Sequence, residues 1–268
     1  MKRKQIDLRY GDCLEVIKDI PNKSIDLTVT SPPYDNLRTY NGNIEQWSFE
    51  KFTKIAKGLF RITKEGGVVV WVVADSTMKG SESGTSFRQA LYFKEIGFNL
   101  HDTMIYQKQN YVPLTHNRYE QEFEYMFVFS KGKPKTFNPI MIPCKYAGTT
   151  TWGNSTFHKT NSSGLVDCGK KKINDYKQHG NIFTYLTGKS KETKGHPAPF
   201  PEQLAKDHII SWSNENDTVL DCFMGSGTEG KMCRLLKRNF IGIELDENYF
   251  NIAKERINNF SRQIKMDI

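Results

Sequence analysis

Long apolar runs are missing from this 268-residue chain. The longest, Val68 to Ala74, is far too short to cross a bilayer as a helix, so no membrane segment is expected. The basic start, Met1-Lys2-Arg3-Lys4-Gln5, leads into no apolar stretch, which argues against a secretory signal and for a cytoplasmic protein. Cys13, Cys144, Cys168, Cys222 and Cys233 form an odd set without close pairs, so a disulfide framework is not expected. No Cys-x-x-Cys or His-x-x-x-His pair occurs, and a metal site is not expected. Arginine is absent from residues 131–195, yet twelve lysines stand there against Asp167, Asp175 and Glu192. That balance of +9 exceeds the +8 of the whole chain. A positive segment of this kind suits a polyanionic partner.

The rest of the chain alternates short apolar runs with helical spacing, the pattern of an α/β fold. Strands are predicted at Gln5–Tyr10, Ile25–Thr30, Val68–Ala74, Asn99–Gln107, Glu122–Phe129, Thr218–Phe223 and Phe240–Leu245. Helices are predicted at Leu14–Ile20, Phe49–Thr63, Phe87–Ile96, Glu202–Trp212, Thr228–Arg238 and Glu247–Arg262. Lys64-Glu65-Gly66-Gly67 breaks the helix Phe49–Thr63, and the central strand is expected to follow at Val68. With no helix between them, Asn99–Gln107 and Glu122–Phe129 suit an antiparallel pair at one edge of a mostly parallel twisted sheet with helices on both faces. Periodicity fades from Lys131 to Gly195, where lysines mix with Trp152, Phe157, Tyr176, Phe183 and Tyr185. Lysines interleaved with aromatics favour nucleic-acid contact. The expected organisation is one domain in two parts, 1–130 and 196–268, interrupted by a lysine-rich insertion at 131–195.

Two turns stand out. The strand Ile25–Thr30 runs straight into Ser31-Pro32-Pro33-Tyr34. Two prolines cannot continue a ladder, so the chain leaves the sheet in a stiff extended turn. Such an edge suits a flat polar ligand, with Ser31 and backbone carbonyls accepting hydrogen bonds and Tyr34 stacking on a face. The second turn, Asp221-Cys222-Phe223-Met224-Gly225-Ser226-Gly227-Thr228, lies between a strand and a helix, and Glu244 closes the next strand. This matches a nucleoside-binding β-α-β unit. Gly225-x-Gly227-x-x-Gly230 also satisfies the dinucleotide fingerprint, so a nicotinamide-dinucleotide enzyme is a competing reading. Only about 40 residues follow Gly227, too few for a second mononucleotide half, so the missing strands must come from the N-terminal part.

These pieces resemble the DNA amino-methyltransferases, which use S-adenosylmethionine to methylate N4 of cytosine or N6 of adenine. The resemblance rests on Thr30-Ser-Pro-Pro-Tyr34, Phe223-x-Gly225-x-Gly227, Glu244, Gly11-Asp12 and His196-Pro-Ala-Pro-Phe200-Pro201. Their order, catalytic turn first and cofactor turn last, looks like the β class of that family. It implies a permuted Rossmann-like methyltransferase fold. It places Ser31, Pro32, Pro33 and Tyr34 at the reacting base. Asp221, Phe223, Gly225 and Gly227 are implied beside the cofactor, with Glu244 on its ribose and Thr228 on its carboxylate. Asp12, with Cys13 next to it, is implied at the adenine, and Phe200 packs nearby. Asp12 also reads simply as a helix cap. Arg38, Lys145, Lys170, Lys171 and Lys172 are candidate contacts to double-stranded DNA. A homodimer and a cognate restriction endonuclease are partners the resemblance suggests.

Many relatives carry Asp where this chain has Ser31, and Ser is common in the cytosine-N4 group, which favours cytosine over adenine. An RNA amino group and a silent nucleic-acid-binding relative are further alternatives. Pro143-Cys144 echoes the nucleophile dipeptide of cytosine-C5 methyltransferases, but its place in the lysine-rich segment, far from a strand-to-site turn, argues against that chemistry.

Overall fold

A computed structural model describes residues 5–33, 47–111, 117–151, 156–158, 165–167, 169–186 and 200–266. Tyr34, Arg38, Cys168 and His196 lie outside the described residues. In chain order the elements are β1 (Ile6–Tyr10), α1 (Cys13–Val16), β2 (Ile25–Thr30), α2 (Phe49–Ile62) and β3 (Thr63–Val73). Then come the two short strands β4 (Thr77–Met78) and β5 (Ser81–Glu82), α3 (Thr85–Glu95), β6 (Asn99–Lys108) and β7 (Phe123–Ser130). Four more short strands, β8 (Met141–Pro143), β9 (Thr156–His158), β10 (Leu165–Asp167) and β11 (Tyr176–Gln178), precede β12 (Ile182–Tyr185). The chain closes with α4 (Glu202–Trp212), β13 (Thr218–Asp221), α5 (Thr228–Leu235), β14 (Asn239–Glu244) and α6 (Glu247–Met266). Among the described residues no helix is long and apolar enough to cross a membrane.

The chain forms two compact units, residues 1–138 with 181–268, and residues 139–180. The first is built on an eight-stranded sheet ordered β1-β14-β13-β2-β3-β7-β6-β12. Every neighbouring pair is parallel except those made by β7, which runs against both β3 and β6. The strands of the C-terminal third therefore lie beside β2, on the side away from β3. This is the permuted order that the position of the glycine turn implies.

Both faces are covered, and the pleat explains how one strand serves two cores. On β3, Val68, Val70 and Val72 pack with Leu204 and Ile209 of α4, Met232 of α5 and Ile257 of α6. The alternate residues Val69, Trp71 and Val73 pack with Phe52 and Leu59 of α2 and Phe93 of α3. A strand buried on both faces reads as the continuous apolar run seen in the sequence. The α2 helix buries Phe52, Ile55, Ala56, Leu59 and Ile62 along one stripe. Ser48 starts it by accepting the Lys51 N–H at 3.1 Å.

Three expectations need correction. The central strand starts earlier than Val68: α2 ends at Ile62 and β3 begins at Thr63, so the residues that break the helix already belong to the strand. Gly66, at φ +78°, bonds to the Lys131 carbonyl at 2.7 Å and so stays tied to the end of β7. The reversed strand is not at the edge either. The outermost strand is β12, parallel to β6, and Tyr185 is buried there against Tyr106. Four residues inside a lysine-rich stretch carry too little periodicity to announce a strand. As a result the second unit, 139–180, is shorter than the insertion read from composition. Finally, Lys131, counted there with the basic segment, is buried; its Nζ donates to the carbonyls of Phe60 and Thr63 at the C-terminus of α2. A cation at that helix end is a structural cap.

Candidate active site

The parallel strands β1, β14, β13 and β2 all end on the same side of the sheet, where ligands bind in open α/β folds. β2 delivers Ser31, Pro32 and Pro33; β13 delivers Asp221 and the glycine turn; β14 delivers Glu244; β1 delivers Gly11 and Asp12. The α-helices diverge from β2 and β13 to opposite faces, so the two turns meet where the strand order switches direction.

Thr30, wholly buried, donates its hydroxyl to Asp221 Oδ1 at 2.7 Å. The same oxygen accepts the Phe223 N–H at 3.1 Å. Asp221 is also hydrogen-bonded to Glu229 of α5, and both carboxyls are buried. Burial, reinforced by the Asp221 charge, pushes Glu229 well above the ordinary carboxylate range. Burial raises Asp221 as well, against the hydrogen bonds from Glu229, Thr30 and Phe223 that favour its charge. The two carboxyls share a proton that sits on Glu229 and is donated to Asp221.

Ser31 and Pro33 are half-buried and Pro32 is buried at the end of this strand. Phe223 stands half-buried in the glycine turn, edge-on to Trp47 at 5.4 Å and to Trp71 at 6.2 Å between ring centroids. Glu244 is pinned from two sides: Oε2 accepts the Gly225 N–H at 2.7 Å and Oε1 the Asp246 N–H at 2.8 Å. Burial raises its carboxyl in spite of those two amides. Gly225 has φ +51°, which its tight turn requires.

Gly227 packs closely against α6. At φ +76° it caps α5, and a Cβ there would lie 2.9 Å from Ala253 Cβ and 3.0 Å from Ile257 Cδ1 on α6. Gly230 likewise faces Ile257 and Phe240. The last two glycines of the fingerprint therefore serve helix packing. Thr228 also points inward. It is buried, and its Oγ1 accepts from Arg256 Nη1 at 3.0 Å.

Arg256 holds the whole turn from beneath. It is buried and donates to the Ser226 carbonyl at 3.0 Å, the Ser226 hydroxyl at 3.3 Å and Glu202 Oε1 at 2.6 Å. Glu202 opens α4 two residues after Phe200, which is half-buried against the core cluster of α4, α5 and α6. Lys231 completes the cluster on Glu202 at 2.9 Å.

Asp12 is the N-cap of α1, accepting the Leu14 N–H at 2.8 Å, and its second oxygen is paired with Lys51 at 2.8 Å. The cap reading is thus realised, and Lys51 joins the site edge. Cys13 is buried with its thiol hydrogen-bonded to Cys222, which together with burial pushes it up. Trp47, Lys51, Glu229 and Arg256 are residues the sequence did not single out. Only Trp47, just before the Ser48 cap, had a local signal.

In the second unit, β8 pairs with β11 and β9 with β10, all antiparallel. Lys145, Lys170, Lys171 and Lys172 are exposed there. Cys144 directly follows β8, and its N–H donates to the Asp175 carbonyl at 2.8 Å.

A sheet with one reversed internal strand, an acid-tipped β14 and a glycine turn beside a proline turn define a Rossmann-like methyltransferase. The crystal structure of an M1.HpyAVI–SAM complex superimposes with TM-score 0.63 at 26% identity, covering 95% of this chain and all of that one. The cytosine-N4-specific PvuII DNA methyltransferase shares the fold at TM-score 0.71 and 20% identity, over 98% of this chain and 95% of its own. A family model described as DNA methylase, for the N6/N4 methyltransferases, matches residues 25–255. The orphan methyltransferase M.BamHII of Bacillus amyloliquefaciens is 52% identical over 255 residues, covering 91% of this chain and 92% of that protein. The chain belongs to the N6/N4 DNA methylase family and is a DNA methyltransferase.

Proposed function

We propose that this protein transfers a methyl group from S-adenosylmethionine to the exocyclic amino group of a base turned out of duplex DNA, with N4 of cytosine as the target. One observation carries the reading: the proline turn after β2 and the glycine turn after β13 start side by side, joined by the Thr30–Asp221 hydrogen bond.

The residues present fit the cofactor. Glu244, held by two amides at a strand end, suits the vicinal hydroxyls of a ribose. The Phe223–Trp47 pair offers an aromatic wall. Asp12 lies at the β1 end of the same row, next to Lys51. When bound, the cofactor supplies a sulfonium-activated methyl group.

The protein's own share is position. An exocyclic amino nitrogen is a poor nucleophile, because its lone pair is spread into the ring. In this reading the Ser31 hydroxyl and the Pro32 carbonyl accept its two N–H bonds and draw the nitrogen towards sp³. Pro33 stiffens the turn, and Tyr34 stacks on the base. The reaction is an in-line displacement without a covalent enzyme intermediate, so alignment provides most of the acceleration. The base must leave the helix to reach this turn. Residues 139–180 carry six lysines against Asp167 and Asp175. That composition supports Lys145, Lys170, Lys171 and Lys172 as phosphate contacts of a target-recognition unit, with Arg38 a further contact near the base. Pairing of two copies, and a cognate endonuclease, belong to the same reading.

Digestion of plasmid DNA from cells expressing the protein, with nucleosides separated by mass spectrometry, tests it. N4-methylcytosine is the expected product. N6-methyladenine refutes the Ser31 argument, and no methylated base above the host background refutes the proposal as a whole.

A further inference from the structure

The backbone ladder between β13 and β2 is short. Its paired residues are Val219 with Leu27 and Leu220 with Thr28. Beyond that pair the two strands diverge into the turns that make the site. The link that continues past the ladder is a chain of side chains. Cys13 is hydrogen-bonded to Cys222; Cys222 Sγ lies 3.7 Å from Thr30 Oγ1; Thr30 donates to Asp221 Oδ1; and that oxygen also holds the Phe223 N–H. Glu229 donates to the same carboxyl group from α5. All four linking side chains, Cys222, Thr30, Asp221 and Glu229, are buried, so water cannot replace a lost partner cheaply. Thr30 has one proton to give, and it goes to Asp221. Its neighbour in sequence is Ser31, while the neighbour of Asp221 in the chain is the glycine turn. The Thr30–Asp221 hydrogen bond therefore ties the residue that enters the proline turn to the residue that enters the glycine turn.

We infer that Thr30 is a positioning residue for methyl transfer, acting through Asp221 to hold the two turns in register, and that it affects turnover far more than cofactor affinity. The inference rests on the reading above. Its mechanism is geometric: a small displacement of an otherwise intact acceptor from the donor is enough to slow an in-line transfer steeply.

The test compares Thr30→Val, which keeps the shape and loses the hydroxyl, with Thr30→Ser, which keeps the hydroxyl. Three measurements are made on the full chain. Calorimetry gives the affinity for S-adenosylmethionine. Single-turnover transfer of a tritiated methyl group to amplified, unmethylated bacterial DNA gives the rate. Hydrogen exchange by mass spectrometry, with and without S-adenosylmethionine, follows the peptide covering Val29–Ser31. Thr30→Val is expected to bind the cofactor within about threefold of the parent and to transfer between about ten- and a hundredfold more slowly. Thr30→Ser should recover the rate to within about threefold. Cofactor binding should protect Val29–Ser31 in the parent and in Thr30→Ser, and not in Thr30→Val. A parental rate in Thr30→Val, a loss of affinity as large as the loss of rate, or unchanged protection in Thr30→Val overturns the inference. If the parent itself transfers no methyl group to DNA, the proposed reaction falls, and the exchange experiment still decides whether Thr30 couples the turns.

Discussion

Gly227 offers the most direct check on how the glycine turn is built. Replacing it by alanine does two things. It forces a residue with a side chain to φ +76°, which costs roughly 1–2 kcal/mol. It also puts a Cβ 2.9 Å from Ala253 Cβ, 3.0 Å from Ile257 Cδ1 and 3.1 Å from Ala253 Cα. Two of those three atoms belong to a residue that cannot rotate away, so α6 must shift, and overpacking of this kind costs roughly a further 1–3 kcal/mol. Gly80→Ala is the matched control. Gly80 has nearly the same φ, +82°, and a Cβ there meets nothing within 4 Å. Urea unfolding followed by far-ultraviolet circular dichroism should show a loss of about 1–2 kcal/mol for Gly80→Ala and about 2–5 kcal/mol for Gly227→Ala, with unchanged m-values. The difference isolates the α5–α6 contact. Equal losses in the two variants would refute the assignment of Gly227 to packing.

Further outcomes follow from the buried acids and the basic unit. Glu229 holds its proton in the folded protein above the pH at which the unfolded chain releases it, so its contribution to stability falls as pH rises. Glu229→Gln removes that dependence, and its stability relative to the parent should improve by up to about 1.4 kcal/mol per pH unit above the unfolded pKa, until the folded pKa is reached. Parallel urea midpoints for the two proteins between pH 5.5 and 8.5 would sink the shared-proton assignment. Ser31→Ala should slow methyl transfer at least tenfold while calorimetric S-adenosylmethionine affinity stays within about threefold; loss of cofactor binding would show that the two turns do not divide the work. Neutralising Lys170, Lys171 and Lys172 to Gln should weaken DNA binding and reduce the slope of log K against log salt by up to about 3. An unchanged slope places the DNA on another surface. Arg256→Met should impair cofactor affinity and stability together, because Ser226, Thr228 and Glu202 all lose their common donor; a stable variant with normal affinity would show that the turn stands without it.

Local patterns determined much of this protein. The proline pair ended β2 because it has no N–H to give, wherever the chain sits in space. The apolar run at Val68–Val73 made the central strand because every residue of it can be buried on one face or the other. The helical stripe of α2, the glycine turn and the acid at the end of β14 were legible for the same reason: each depends on residues within a few positions of one another. The order of the two turns along the chain even implied the permuted sheet. What only the tertiary structure decided depends on partners far apart in sequence. Thr30 and Asp221 are 191 positions apart, and nothing near either announces the bond between them. That Gly227 and Gly230 pack against α6 could not be read from the glycine turn alone. Lys131 counted as one more surface charge until the carbonyls of α2 were placed around it, and β12 hid among lysines because an edge strand of four residues is specified by the strand it joins. A sequence records what each residue can do, and folding selects which of those capacities is used, because burial and hydrogen bonding are settled by neighbours that the chain brings back from a distance.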